Sequence, residues 1–387
     1  MLFLKLAIRN LLGAGIRTWL NVIVLSASFV IIIWTRGLMA GWDRQAKADT
    51  IKWEIAGAQY WHKDYDPYDP LTLSRSHNVV PGEFYLKDTS LVPVLISQGT
   101  IYPEGRMLSV IIKGIPPDQP LLAIPAEKLK ENNGEVPALM GSSMAAIAKL
   151  SEGDHVTLRW RDKNGTYDAL TVKIVNIFDT NVPSVDVGQI WLPIEKLREM
   201  LLVPGEATIL VASSELNNTG GSGDWVYKSQ KSLLADLEKM IKTQNAMGTI
   251  MWFILLMMAM LGVFDSQVLS IFRRRKEIGT YVAFGMTQGQ VVKLFTVEGA
   301  MHSVLAVFAG AVYGIPLLVR HAVNGISIPL KSSDFGVAMS ERLYPVYSFG
   351  LITGTVFTVL IITIIVSYWP ARKIAKLHPT EALRGKI

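Results

Sequence analysis

Residues 247–272, MGTIMWFILLMMAMLGVFDSQVLSIF, carry one ionisable side chain, Asp265, and run straight into Arg273, Arg274, Arg275 and Lys276. A helix rising about 1.5 Å per residue over that length can cross the roughly 30 Å hydrocarbon core of a bilayer. Four adjacent cations at its end mark the cytoplasmic side under the positive-inside rule. This span therefore runs inward, and the other segments take their orientation from it.

Residues 18–39 form a first span running outward, apolar apart from Asn21, a few hydroxyls and Arg36, whose place near the outer end suits snorkelling to the interface. A cleaved signal peptide is the competing reading; the run is long for one, and no convincing small-residue cleavage site follows it. Residues 1–17 mix leucines with Lys5, Arg9 and Arg17, the pattern of a short interfacial helix on the cytoplasmic face. Residues 296–319 and 346–369 supply two further spans, joined by an outer loop at 320–345. Gly310/Gly314 and Gly350/Gly354 stand in them at the GxxxG spacing that marks close helix packing. Pro370 is expected to end the last span. Arg372, Lys373, Lys376, Arg384 and Lys386 keep the 370–387 tail in the cytoplasm beside the N-terminus.

The chain is 50% hydrophobic and 18% charged, too apolar for an ordinary soluble protein and too polar for one lying wholly in lipid. Its charge is divided in the same way. Residues 40–246 hold 21 Lys+Arg and 26 Asp+Glu, net −5, and the remainder is net +11. The basic excess thus flanks membrane spans and argues for topology and against a nucleic-acid partner. Residues 40–228 read as an extracytoplasmic α+β domain, with strand patterns at 91–96, 107–113, 156–160, 169–178, 189–193 and 207–211. Helices are expected at 142–150, capped by Ser142, and at 194–201. NNTGGSG at 217–223 has no apolar residue to hold it down. From Ser229 the period becomes helical, so 229–246 reads as a stalk continuing into the second span. The fold class that follows is a membrane protein with four transmembrane helices and a large α+β extracytoplasmic domain between spans 1 and 2.

No HExxH, GxSxG or GxxxxGK[ST] motif occurs, and the chain has no cysteine. Zincin, serine-hydrolase, thiol and P-loop chemistry therefore have no footing. His62 beside Asp64 and Asp66 could be drawn as a metal site, but a solvated polar loop explains these residues more simply. Asp265 is an intramembrane acid and by default a functional candidate. No central acid or histidine is evident in the other spans, which favours an interhelical hydrogen bond for it over proton relay. Met251, Met257, Met258 and Met260 crowd the second span and suit either a cavity for acyl chains or plain packing.

Residues 273–299, RRRKEIGTYVAFGMTQGQVVKLFTVEG, resemble the cytoplasmic loop and start of the third span in ABC transporter permeases of the FtsX/MacB/LolC type, the type VII superfamily. The likeness falls on Arg275, Glu277, Ile278, Gly279, Ala283, Gly285 and Glu298. PARKIAKLHPTEALRG at 370–385 is similar to the family's closing segment, on Pro370, Ala371, Arg372, Ala375, Pro379, Glu381, Ala382, Leu383 and Arg384. AIRNL and RTWL near the start look like its pair of arginine motifs. MGSSMAAIAKLSEGDHVTLRWRDKNG and VDVGQIWLPIEKLREML are similar to its extracytoplasmic core.

The resemblance implies a non-catalytic half-transporter in the bacterial inner membrane. It would dimerise with a second permease subunit, alike or different, and bind two copies of a separate cytoplasmic ATPase that holds the ATP and magnesium. This chain would bind no cofactor or metal itself. Arg273, Arg274, Arg275, Glu277, Ile278, Gly279, Ala283 and Gly285 would couple to the ATPase. ATP-driven closure of the spans would then move the extracytoplasmic domains. The size of that domain and the segment AGAQYWHKDYDPYDP look like the lipoprotein-releasing permeases, which hand lipoproteins to a periplasmic carrier. A MacB-like efflux permease and an FtsX-like regulator of a wall hydrolase are the alternatives. For a lipoprotein cargo, acyl chains are expected near Phe29, Ile33, Met257 and Met260, with Asp265 and Glu298 as intramembrane polar groups.

Overall fold

The computed structural model describes residues 16–85, 91–130, 134–213, 223–327 and 342–375. The expected interfacial helix up to residue 15, nearly all of NNTGGSG, most of the 320–345 loop and the closing motif beyond 375 lie outside the described residues. In chain order the main elements begin with α1 (Ile16–Thr50), β1 (Ala58–His62), β2 (Leu91–Ile101), β3 (Leu108–Ile115), β4 (Val136–Gly141), α2 (Ser142–Ala148), β5 (His155–Arg161), β6 (Tyr167–Phe178) and α3 (Pro183–Asp186). They continue with β7 (Gln189–Pro193), α4 (Ile194–Leu201), β8 (Ile209–Ala212), β9 (Trp225–Ser229), α5 (Gln230–Leu233), α6 (Ala235–Arg273), α7 (Arg275–Ala283), α8 (Gln288–Asn324) and α9 (Phe349–Ala375). The chain divides into a helical unit, residues 1–42, 241–326 and 343–387, and a β-rich unit, residues 43–240 and 327–342.

Four helices, α1, α6, α8 and α9, are long and apolar enough to cross a membrane. Each exceeds the run of apolar residues that announces it, because polar turns at its ends keep making backbone hydrogen bonds outside lipid. Helix α1 continues to Thr50 and closes in a π turn at Ile51–Ile55. Pro370 does not end the last helix, which runs through it to Ala375. The second long helix starts at Ala235: Ser229 instead caps the short α5, accepting from the Ser232 amide at 3.2 Å.

The helical unit is packed around Val22, Leu25, Phe29 and Ile32 of α1, Leu256 and Met260 of α6, Ala306 of α8 and Val359 of α9. Gly310 and Gly314 do mark close packing: a Cβ on Gly314 would lie 2.6 Å from Val30 Cγ2. A Cβ at Gly350 or Gly354 would meet nothing within 4 Å among the described residues. A third pair escaped the sequence reading. Gly37 receives the ring of Tyr347, Gly41 receives the carbonyl of Tyr344, and the Val346 amide donates to the Gly37 carbonyl at 2.9 Å.

In the β-rich unit the strand order is β9-β1-β8-β2-β3-β7-β4-β6-β5, and a further pairing of β5 with β2 closes six of these strands into a ring. The ring holds antiparallel and parallel neighbours, β3 beside β7 and β4 beside β6 being parallel. Its interior is Leu95, Ile101, Ile112, Met140, Leu158, Trp160, Ile174 and Leu192, stoppered by Met144 of α2 and Leu197 of α4. Strand β5 alternates strictly between exposed and buried residues, the period of two that a half-buried strand dictates. Gly99 lets β2 serve two neighbours at once: a Cβ there would meet Ile112 Cδ1 at 2.5 Å and the Arg159 carbonyl at 3.1 Å. The expected Ser142 cap is replaced by another element. Gly141 occupies the N-cap without a side-chain bond, and Asp186 of α3 accepts from the Ser143 amide at 2.9 Å.

The helix ends belonging to this unit are tied into it. Lys47 bridges Asp43 at 3.1 Å and Glu238 at 3.3 Å. Asp49 accepts from Asn181, Glu54 accepts from Ser184, and Trp53 stacks on Phe178 at 5.6 Å. The Tyr68 hydroxyl donates to Asp236 at 2.7 Å.

A second cluster on the outer face of the ring, around Val94, Ile96, Ile115, Trp191 and Val211, contains an unexpected charge. Lys113 is 9% exposed, with its amine 5.0 Å from the centre of the Trp191 ring. Burial pushes this lysine below its ordinary value, against the weaker pull of Glu54. Below the lowered folded value the amine is charged in both states and its burial cost is complete. Between that value and 10.5 the folded state sheds the proton first, so stability rises with pH.

Two outcomes are expected. Lys113→Met stabilises the β-rich unit by about 1–2 kcal/mol near neutral pH, read as slower amide exchange in β2, β3 and β7, and its advantage shrinks as pH climbs toward 10. Gly314→Leu destabilises the helical unit by about 1–3 kcal/mol in thermal unfolding, whereas Gly354→Leu leaves it within about 0.5 kcal/mol.

Candidate functional site

The basic run at 273–276 makes a corner where one helix ends and the next begins. Helix α6 stops at Arg273, Arg274 takes non-helical angles without a side-chain cap, and α7 follows for nine residues. Phe284 ends α7, and Gly285 reverses the chain at φ 91°, a left-handed conformation that glycine adopts without a Cβ penalty. Thr287 then starts α8 with a capping box: its hydroxyl accepts from the Gln290 amide at 3.3 Å, and Gln290 Oε1 accepts from the Thr287 amide at 2.9 Å.

Two contacts fix α7 to the bundle. Ile278 is buried with Val291 and Phe295 of α8 and Ala371 of α9. Arg274 Nε donates to Glu277 at 2.7 Å, and its Nη1 reaches both oxygens of Glu298 at 3.1 and 3.2 Å, with the guanidinium 5.4 Å from the centre of the Phe295 ring. Glu298 is almost completely buried, so this pair neutralises an acid that would be costly alone. One turn along, His302 is buried as well and donates from Nδ1 to the Glu298 carbonyl at 3.0 Å. Gly299 leaves room for Ser367, with Gln267 nearby.

The opposite side of the corner is open. Arg273, Glu277, Thr280, Ala283 and Gly285 are exposed, and Phe284 is 86% exposed at its tip. The residues singled out from sequence therefore separate into two groups. Arg274, Ile278 and the buried Gly279 face inward and hold α7 in place, while Arg273, Glu277, Ala283 and Gly285 face outward. Arg275 is the first residue of α7. Phe284 was missed because an aromatic residue in an apolar helix pattern looks like core.

The intramembrane candidates exchange places. Asp265 is exposed on α6 and makes no interhelical hydrogen bond among the described residues. The buried acid and histidine are Glu298 and His302 of α8, whose spacing of four residues was a legible signal. The four expected cavity residues do not share a surface. Phe29 and Met260 are core, with Met260 Sδ accepting from Thr363 at 3.6 Å, and Ile33 is buried; only Met257 is exposed, at 58%. Their apolar pattern is that of a packing seam. His62 is buried against Trp225 and accepts at Nδ1 from the Asp64 amide at 3.3 Å. Among the described residues no cluster of three or more metal-ligating side chains occurs.

Residues 249–379, from α6 to past the end of α9, match the family described as FtsX-like permease C-terminal. The macrolide export ATP-binding/permease protein MacB of Sodalis glossinidius is 24% identical over 239 residues, which is 57% of this chain and 34% of that protein. The lipoprotein-releasing system transmembrane protein LolC of Xylella fastidiosa is 21% identical over 322 residues, 76% of each chain. The chain thus spans about a third of the length of the MacB relative and three quarters of LolC. The crystal structure of the periplasmic region of MacB from Actinobacillus actinomycetemcomitans aligns at a TM-score of 0.33 and 12% identity, over 50% of this chain and 98% of that one.

Glu298→Ala leaves the half-buried Arg274 with only its exposed partner. The corner should loosen by about 2 kcal/mol, so that amide exchange in α7 quickens about thirtyfold. Glu277→Gln, which removes an exposed acid, should change it by less than about fivefold.

Proposed function

We propose, taking the FtsX-like permease domain of residues 249–379 as the premise, that this chain is the permease subunit of an ABC transporter and that a separate ATPase docks at the corner formed by residues 273–287. The observation that carries this reading is the two-sided construction of α7. Arg274 and Ile278 anchor one side to α8, while Phe284 at the end of α7, Glu277 in its first turn and Arg273 before it are exposed. An exposed aromatic anchor with a charged rim is the anatomy of a protein-binding hot spot. A helix fixed in this way transmits displacement, because its rotation must drag Glu298 and α8 with it.

In this reading the corner and both termini are cytoplasmic, and the β-rich unit is extracytoplasmic on a bacterial inner membrane. ATP and Mg²⁺ belong to the ATPase, two copies of which serve a pair of permease chains. Helices α1 and α6 are two of the chain links from the helical unit to the β-rich unit, and closure of the spans would act on that unit through them. Extraction of lipoproteins is the preferred cargo reading, supported by the match to LolC over 76% of both chains. An efflux permease is the second reading, supported by the MacB match. An FtsX-like regulator of a wall hydrolase is a third outcome of the same test.

Mass spectrometry of proteins that co-purify with the full chain in mild detergent decides among them. An ATPase with lipoproteins supports the first reading, an ATPase with an export duct supports the second, and an ATPase with a wall hydrolase supports the third. A folded preparation without any ATPase refutes the common premise. Phe284→Asp should lower ATPase recovery at least tenfold while amide exchange in α7 stays as in the unmodified chain.

A further inference from the structure

At the opposite end of the helical unit, Arg36 of α1 stands where α6 and α9 converge. Its Nη1 donates to Thr355 Oγ1 of α9 at 3.4 Å, a long bond, and its guanidinium lies 5.8 Å from the centre of the Trp252 ring of α6. A guanidinium has five N–H donors, yet Arg36 is exposed and forms no ion pair among the described residues. The Trp252 indole N–H is buried with no hydrogen-bond partner. Among the described residues the Thr355 hydroxyl is the one acceptor that the guanidinium meets, and it meets it at the limit of hydrogen-bond length.

Depth and surroundings specify the acceptor that suits the guanidinium's remaining donors. About 31 Å of helix separates Trp252 from Arg273, and about 25 Å separates Thr355 from Arg372, at 1.5 Å per residue. The site therefore lies one hydrocarbon thickness from the basic end, at the level of the far headgroups. Met251 and Leu255 of α6, Ile352 of α9 and Ile31 of α1, in the same stretches of helix, are exposed apolar side chains. Arginine binds phosphate oxygens, and indoles favour the membrane interface.

We propose that Arg36, beside the Trp252 ring, binds the headgroup of an anionic phospholipid in the leaflet opposite the basic corner, with the acyl chains lying along the exposed apolar faces of α6 and α9. This rests on the membrane reading of the helices and is independent of the ATPase reading. A bound anion neutralises the exposed Arg36 guanidinium and takes up the N–H donors that the single bond to Thr355 leaves unused.

The test uses the full chain in phosphatidylcholine vesicles carrying small equal fractions of either brominated phosphatidylglycerol or brominated phosphatidylcholine, whose bromines quench nearby tryptophans. Phosphatidylglycerol should quench the Trp252 component, defined by difference against Trp252→Phe, with about fivefold higher apparent affinity, the preference that one cation near the surface confers. Arg36→Gln should abolish the preference, and Arg36→Lys should retain part of it. Equal quenching by the two lipids, or a preference that survives Arg36→Gln in a chain with unchanged circular dichroism, overturns the proposal. Loss of the preference on adding inorganic phosphate also overturns it, because a soluble anion would then be the ligand.

Discussion

A bilayer interior offers nothing to hydrogen-bond, and this constraint orders the whole helical unit. Its four helices satisfy their own backbones and meet through glycines and apolar side chains, leaving polar chemistry to the ends and to one buried seam. At one end Arg274 and Glu298 cancel each other's charge, and at the other Arg36 lies against an indole face. The seam itself is made of Glu298, His302, Gln267, Ser303 and Ser367, all buried. A buried ion pair is a weak source of net stability, but it is specific in geometry. Its value here is that it gives α7 one orientation.

The β-rich unit answers a different constraint. Water surrounds it, so unpaired strand edges are the hazard. Closing β2, β3, β7, β4, β6 and β5 into a ring removes most of them and encloses a dry core, leaving β1, β8 and β9 as an extension on one side. The buried Lys113 stands apart from this economy. Stacked over Trp191 outside the ring, it is a charge that the cluster around it tolerates, and the cation–π contact only partly offsets its desolvation.

Much of this was legible in the sequence where a single physical period dominates. Long apolar runs gave the four crossing helices, and strict alternation gave β5. The expected runs at 91–96 and 169–178 fall inside longer strands, β2 and β6. Strands β1 and β4 were not expected; Pro137 and Gly141 make β4 read as a turn. Ring closure depends on pairings between distant segments, which no local pattern encodes. At the corner the sequence located the segment, but four consecutive cations look alike on paper. Only packing distinguishes Arg274, turned inward to Glu298, from Arg273, turned outward. The same holds for the acids: an isolated Asp265 drew attention that belonged to Glu298, whose position near the start of an apolar run disguised it as a flanking charge.

The register of the extension has a mechanical meaning. Ala58, where the chain enters β1 from α1, is directly paired with Ser229, where it leaves β9 for α5 and α6. Both tethers of the β-rich unit thus leave from the same end of one antiparallel strand pair. Tension that separates the tethers loads the Ala58–Ser229 end first and peels the ladder one bond at a time, the geometry in which strands yield at low force. Lys47 between Asp43 and Glu238 braces the tethers just before that point. Displacement that carries both tethers together puts no such opening load on the ladder.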